Sequence, residues 1–319
     1  MAEDKRPANG IKVSDRLLKL LAVLIGCMII AAFFIVPKYG CTVTAYKAAH
    51  ADCKKAEEQL ASAQQENEEL TAKLEEIRTM TAETQDLMKE SFELAAKLEQ
   101  DISDGKSSKK ICYITIDDGP YKRGLEYLDI FDKYGVKATF FLTTANGDKL
   151  PDQADISAKS MYPEYLKHGH TIGNHTYSHN YSSDGIYSSV KSFMKAVDDQ
   201  QKFTEEATGG YVPQIVRFPG GTGMAGAAYE DIAEALRKEN LVWVDWTVDS
   251  SDSWGSDRTS SDIILKNVKE AAKKQDIMVI LFHEWSKPSV EAMPQVIEYL
   301  QGEGYIFLPL FPESMMVMK

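Results

Sequence analysis

From residue 111 onward the chain alternates between short unbroken apolar runs and longer amphipathic stretches, and this alternation constrains the fold more than any other feature. The apolar runs fall at 111–116, 138–142, 215–218, 241–248, 277–283 and 305–308. Helical periodicity separates them, at about 123–134, 160–168, 185–207, 227–239, 260–274 and 290–301. A short continuous apolar run bounded by turn residues is what a strand buried on both faces requires, and parallel sheets bury both faces. Strand–helix alternation therefore predicts a parallel α/β architecture, a distorted (β/α) barrel, over residues 111–319. In parallel barrels the chemistry gathers at the C-terminal ends of the strands.

The preceding hundred residues belong to a different physical world. Residues 17–36, LLKLLAVLIGCMIIAAFFIV, carry one charge, Lys19, near the end where its stem can snorkel. Twenty apolar residues at 1.5 Å each span about 30 Å of hydrocarbon. An uncleaved transmembrane signal anchor is expected, because no small-residue cleavage site follows the run. Lys5, Arg6, Lys12 and Arg16 place residues 1–16 in the cytoplasm and the rest outside the cell.

Residues 41–104 contain no Pro or Gly after Cys41 and read as a long polar helical stalk. Apolar and small residues recur in a heptad with Cys53, Leu60, Leu74, Met88, Ala95 and Ile102 at one core position and Ala56, Leu70, Ile77 and Leu98 at the other. A parallel homodimeric coiled coil fits this register, with Asn67 at a core position and Cys53 placed to cross-link it. A single solvated helix fits it too. Residues 105–110 form a linker by composition.

The net charge of −12 argues against a nucleic-acid partner, which needs a basic face for phosphates. Four cysteines without CxxC spacing suggest no thiolate zinc site.

Five strand ends carry charged or ligating residues. The first run leads into Asp117-Asp118-Gly119-Pro120, where adjacent carboxylates beside a buried strand are costly unless they bind something. His175 and His179 stand four apart, which would put both rings on one side of a helical turn. With Asp118 they make a two-histidine, one-carboxylate set that leaves positions open for water and substrate. Arg217 ends the run before Phe218-Pro219-Gly220-Gly221, where a buried guanidinium calls for a carboxylate partner. Asp245, Trp246, Asp249, Asp252 and Trp254 follow the next run, and His283 closes the fifth. Taken singly, each has a bland reading as turn, cap, ion pair or core filler. Their convergence on one rim marks a site.

In this order, TIDDGP, HTYSH, RFPGG, DWTVDSSDSW and LFH resemble the five motifs of the polysaccharide deacetylase family, the NodB-homology or family 4 carbohydrate esterases. The resemblance covers about Lys109 to the C-terminus and is most specific in the first two motifs. It implies a metal-dependent N-deacetylase. Asp117 matches the base, Asp118, His175 and His179 the metal ligands, and Arg217 the residue orienting the base. Asp252 matches the aspartate behind the catalytic histidine, with Asp249 as the competing candidate. His283 matches the general acid, and Leu281 lines the acetyl pocket. Gly220 stands where the family often has an aromatic residue and leaves a backbone N–H for the oxyanion. Ser253 intervenes before Trp254, which with Trp246 is expected at the sugar. The cofactor implied is one divalent cation, Zn2+ first, with Co2+, Ni2+ and Mn2+ compatible with the ligand set.

The implied substrate is an N-acetylated envelope polysaccharide, with peptidoglycan N-acetylglucosamine ahead of chitin-like or poly-N-acetylglucosamine polymers and acetylxylan. The readings of another class are a non-catalytic sugar-binding envelope protein and a coiled-coil scaffold.

Overall fold

The computed structural model describes residues 22–29, 50–65, 67–68, 92–182, 184–255 and 259–318. The chain divides into two compact units, 1–86 and 87–319. In the first, residues 22–29 and 50–65 are helical. Most of the expected membrane span at 17–36 lies outside the described residues, and among the described residues no helix is long and apolar enough to cross a membrane. On the 50–65 helix the half-buried positions are Cys53, Ala56 and Leu60, all from the expected heptad seam. The stalk between 69 and 91 lies outside the described residues.

The end of the expected stalk behaves differently from the expectation. Helix 92–103 belongs to the second unit, and its heptad residues Ala95 and Ile102 are buried in one cluster with Ile111, Tyr113, Phe141 and Phe311. Phe92 stacks on Phe311 at 5.1 Å between ring centroids. Glu99, also buried, accepts hydrogen bonds from Tyr113 Oη (2.7 Å), Ser314 Oγ (2.5 Å) and Met315 N (2.9 Å). An apolar stripe at heptad spacing fits a domain surface as well as a partner helix, and here the domain has claimed it.

The strands of the second unit are β1 (Lys110–Gly119), β2 (Thr139–Leu142), β3 (Lys149–Leu150), β4 (Gln153–Ser157), β5 (Thr171–Asn174), β6 (Ile215–Val216), β7 (Val242–Trp243), β8 (Val248–Asp249), β9 (Ile277–His283) and β10 (Tyr305–Phe307). Apart from the β3–β4 hairpin they form one parallel sheet in the order β7-β6-β5-β2-β1-β9-β8. β1 pairs with β9 along one edge and with β10 and then β2 in tandem along the other.

The expected strand 241–248 is two short strands. Val244 N still donates to Val216 O of β6 (3.0 Å), while Thr247 N donates to Val279 O of β9 (2.9 Å). The intervening residues thus carry the chain across the open side of the curled sheet, giving an incomplete barrel.

β1 shows how the sequence builds a core and a site on the same strand. Its side chains alternate. Cys112, Ile114 and Ile116 enter the cluster beneath helices Arg123–Tyr134 and Lys287–Gly302. Ile111 and Tyr113 face the interior cluster with Phe141, Val279, Ile215 and Val244. The helices stop where their sequences dictate. Gly135 and Gly209 adopt left-handed caps after Arg123–Tyr134 and Val190–Thr208. Ser189 and Ser260 cap the starts of Val190–Thr208 and Ser261–Ala272, accepting from Ser192 N and Ile263 N.

Candidate active site

Two adjacent carboxylates on a regular strand would point to opposite faces. Here the β1–β2 register shifts between Asp117 and Gly119, and Asp118 takes a φ of 69°. The strand breaks its alternation at this point and brings both acids to one end of the barrel. Glycine is required at 119 because a Cβ there would lie 2.2 Å from Glu284 Oε2.

His175 and His179 do not share a helical turn. They flank a loop after β5, in which Thr176 and His179 have φ values of 65° and 46°. Asn174 Oδ1 accepts from Thr176 N (2.8 Å), and Thr176 Oγ1 accepts from His179 N (3.3 Å), so local side chains hold the unusual backbone. The two rings nevertheless meet at Asp118. His175 Nε2 lies 3.3 Å and His179 Nε2 3.1 Å from Asp118 Oδ1, and the three residues form a possible metal-holding group.

The donor set fits a cation on its own chemistry. His175 Nδ1 lies 2.9 Å from Arg217 O, a carbonyl that can only accept, so Nδ1 carries a proton. In the neutral ring Nε2 is then a lone pair aimed at a carboxylate oxygen. Asp118 Oδ1 is itself buried and has no hydrogen-bond donor in good geometry. Acceptors facing one another in a buried place are relieved by a positive charge among them. Protons register the same demand. Burial works against charge on both groups, yet Asp117 and Asp118 push His175 up, and His175 and His179 hold Asp118 well below the usual carboxylate range.

Arg217 is fully buried at the end of β6 and is met on every side. Its Nη1 donates to Asp117 Oδ1 (3.0 Å) and Thr115 Oγ1 (2.6 Å), Nη2 to Asp245 O (3.1 Å), and Nε to Val244 O (3.2 Å). The guanidinium lies 4.2 Å from the Phe141 ring centroid and 5.9 Å from that of Trp246. Asp117 is thereby fixed beside the metal-holding group, its Oδ2 3.7 Å from His175 Nε2.

Across the β1–β9 ladder Asp117 is in register with His283. His283 Nδ1 lies 2.7 Å from Asp252 Oδ1, and Asp252 Oδ2 accepts from His283 N (2.6 Å) and Ser289 Oγ (2.7 Å). Asp249 instead accepts from Ser251 N (2.7 Å) and Trp254 Nε1 (3.4 Å), which shapes the loop. Asp252 is thus the aspartate that meets His283. Burial opposes charge on His283, but Asp252 and the carboxylates of Asp118 and Asp117 outweigh it and push its pKa up to about 9.

The remaining expected residues sit more loosely. Leu281 is buried in β9, in register with Thr115 and Asp249. Trp246 is half-buried against Gly221, where a Cβ would be 3.1 Å from its ring. Gly220 is exposed with a φ of 74°, and Met224 occupies the space beside it. Trp254 is 58% exposed and donates from Nε1 to Asp249 Oδ2 (3.4 Å).

Two residues escaped the sequence reading. Glu284 is fully buried and accepts from Tyr121 N (2.6 Å) and Tyr165 Oη (2.9 Å), while its own N–H donates to Asp117 O (2.9 Å). Burial pushes its carboxyl up to about 8, against the pull of those donors. It ties the 117–121 turn to the end of β9. Trp285 donates from Nε1 to Asp118 Oδ2 (2.9 Å). The available signal was their position: an acid and an indole donor directly after a strand-end histidine.

The sequence model of the polysaccharide deacetylase family matches residues 104–240. A peptidoglycan-N-acetylglucosamine deacetylase of Bacillus cereus is 32% identical over 216 residues, 65% of this chain and 71% of that protein. The peptidoglycan-N-acetylmuramic acid deacetylase PdaC of Bacillus subtilis is 31% identical over 204 residues, 62% of this chain and 37% of that protein. Among solved structures, the catalytic domain of a peptidoglycan N-acetylglucosamine deacetylase from Eubacterium rectale superposes with a TM-score of 0.59 at 32% identity, covering 66% of this chain and 92% of that one. This chain belongs to the polysaccharide deacetylase family of metal-dependent, hydrolytic deacetylases.

Proposed function

We propose that the chain removes N-acetyl groups from peptidoglycan N-acetylglucosamine, releasing acetate and leaving a free amine on the sugar. The observation that carries the reaction is the buried, unpartnered Asp118 Oδ1 between two imidazole nitrogens, flanked by Asp117–Arg217 on one side and Asp252–His283 on the other. The choice of sugar is supported by the relatives that are named for it.

Asp118, His175 and His179 would hold the cation, with Zn2+ as first choice. When bound, a divalent cation supplies Lewis-acid activation of the acetamide carbonyl and of water. Asp117 takes the proton of the attacking water, and Arg217 keeps that carboxylate aligned. The N–H of Gly220 is the candidate donor to the developing oxyanion. His283, charged through its Asp252 partner, gives its proton to the departing amine. Leu281 bounds the acetyl pocket, and Trp246 and Trp254 offer ring faces to the glycan.

We further propose that the catalytic unit lies outside the cell, tethered by the apolar segment 17–36, and that the stalk pairs with a second copy through the Cys53 seam. The sequence supports these two readings by hydropathy and heptad spacing.

The deciding experiment is acetate release from purified peptidoglycan and from chitooligosaccharides, with and without chelator. Chelator-sensitive release from peptidoglycan is expected, restored by Zn2+ or Co2+. Release from chitooligosaccharides alone would move the substrate to a chitin-like polymer. Absence of both release and metal would favour a sugar-binding protein.

A further inference from the structure

Asp118 uses its two oxygens differently. Oδ1 faces the imidazole nitrogens of His175 and His179 at 3.3 and 3.1 Å. Oδ2 is taken by the Trp285 indole N–H at 2.9 Å. The backbone carbonyl of Asp118 is held as well, by Asn146 Nδ2 at 2.7 Å, so the residue can neither swing nor shift without breaking a bond.

The donor's chemistry matters here. A carboxylate with both oxygens free can grip a cation through one or both, and its plane can rock between the two. A hydrogen bond to one oxygen removes that freedom. A lysine or arginine in this place would also cancel the negative charge that the cation needs. An indole donates one proton, carries no charge and accepts nothing in return.

Trp285 is itself well placed. It lies two residues beyond His283, on the turn that ends β9 and opens helix Lys287–Gly302, and its ring lies 5.2 Å from the His283 ring at an interplanar angle of 35°.

We propose that Trp285 is a positioning residue that fixes Asp118 as a one-oxygen metal ligand. This rests on the metal reading above. The test uses the full chain with Co2+ as the probe and measures binding by calorimetric titration and by the visible absorption bands of the bound ion. Three variants are compared with the wild type: W285F, W285A and H175A.

W285F keeps a ring but removes the donor. It is expected to weaken Co2+ binding about tenfold to a hundredfold, the usual range for a partner behind a metal ligand. It is also expected to change the absorption bands, because Asp118 is then free to bind through both oxygens. W285A should weaken binding at least as much. If Trp285 only fills space, W285F will match the wild type in affinity and spectrum while W285A alone is impaired, and the proposal is overturned. H175A separates this from failure of the metal reading. A wild type that binds no Co2+, or an H175A variant that binds as tightly as the wild type, removes the metal reading and this proposal together.

Discussion

A buried acid near the start of β1 and a half-buried one near its end solve the same physical problem in opposite ways. Glu99, from helix 92–103, is met by a tyrosine hydroxyl, a serine hydroxyl and a backbone N–H, all neutral donors. Asp118 faces two imidazoles with an oxygen that no donor satisfies. A satisfied carboxylate stabilises the fold, since removing it would strand its donors away from water. An unsatisfied one keeps its binding capacity for something from outside. The difference separates structural from functional acids without reference to the reaction, and Asp252 tests the rule. Both its oxygens are satisfied, yet one donor is an imidazole, so its charge acts on a group that can titrate.

The comparison breaks if the functional end proves structural. D117N should keep stoichiometric metal while lowering kcat by about a hundredfold to ten-thousandfold, the typical reach of a general base, and should lower the melting temperature because buried Arg217 loses its charged partner. Turnover close to wild type with metal bound would remove Asp117 from that role. At the other end, E99A should leave kcat within error and lower stability by about 1–3 kcal/mol, read from denaturant unfolding of the catalytic unit. A large fall in kcat at unchanged stability would show that helix 92–103 reaches the chemistry.

D252N should have the smallest effect, on the pH profile. His283 must be protonated to act as an acid, so activity is present below its pKa of about 9 and is lost as pH rises through it. Without the carboxylate charge that pKa falls toward the ordinary histidine value. The alkaline limb of kcat/KM should therefore move to lower pH, and an unmoved limb would assign it to another group.

How far the sequence could be read depended on whether a feature was local. β9 and helix Arg123–Tyr134 were readable to the residue, because an unbroken apolar run and a Gly-terminated periodic stretch are signals contained in the segment itself. β5 was missed. It has four residues, and Gly173 lies at its centre because the Phe141 ring leaves no room for a Cβ. The reason for that glycine is on another strand. The histidine pair was found by spacing and given the wrong backbone, since the positive φ of Thr176 depends on Asn174 holding its N–H. The choice of Asp252 over Asp249 likewise needed coordinates. Three acids within eight residues look alike until the fold brings one to His283. For helix 92–103, heptad spacing describes a stripe and not the surface it will meet.

The register of β1 against β9 has one further consequence. Asp117 and His283 are direct neighbours on adjacent parallel strands, so the span between the proposed proton acceptor and proton donor is a ladder rung, about 4.8 Å of main chain. Such a ruler is calibrated by peptide hydrogen bonds rather than by the volumes of the side chains beneath it. The apolar interior can therefore be repacked over generations, losing or gaining stability, while the span across which a proton is taken up and returned stays the same.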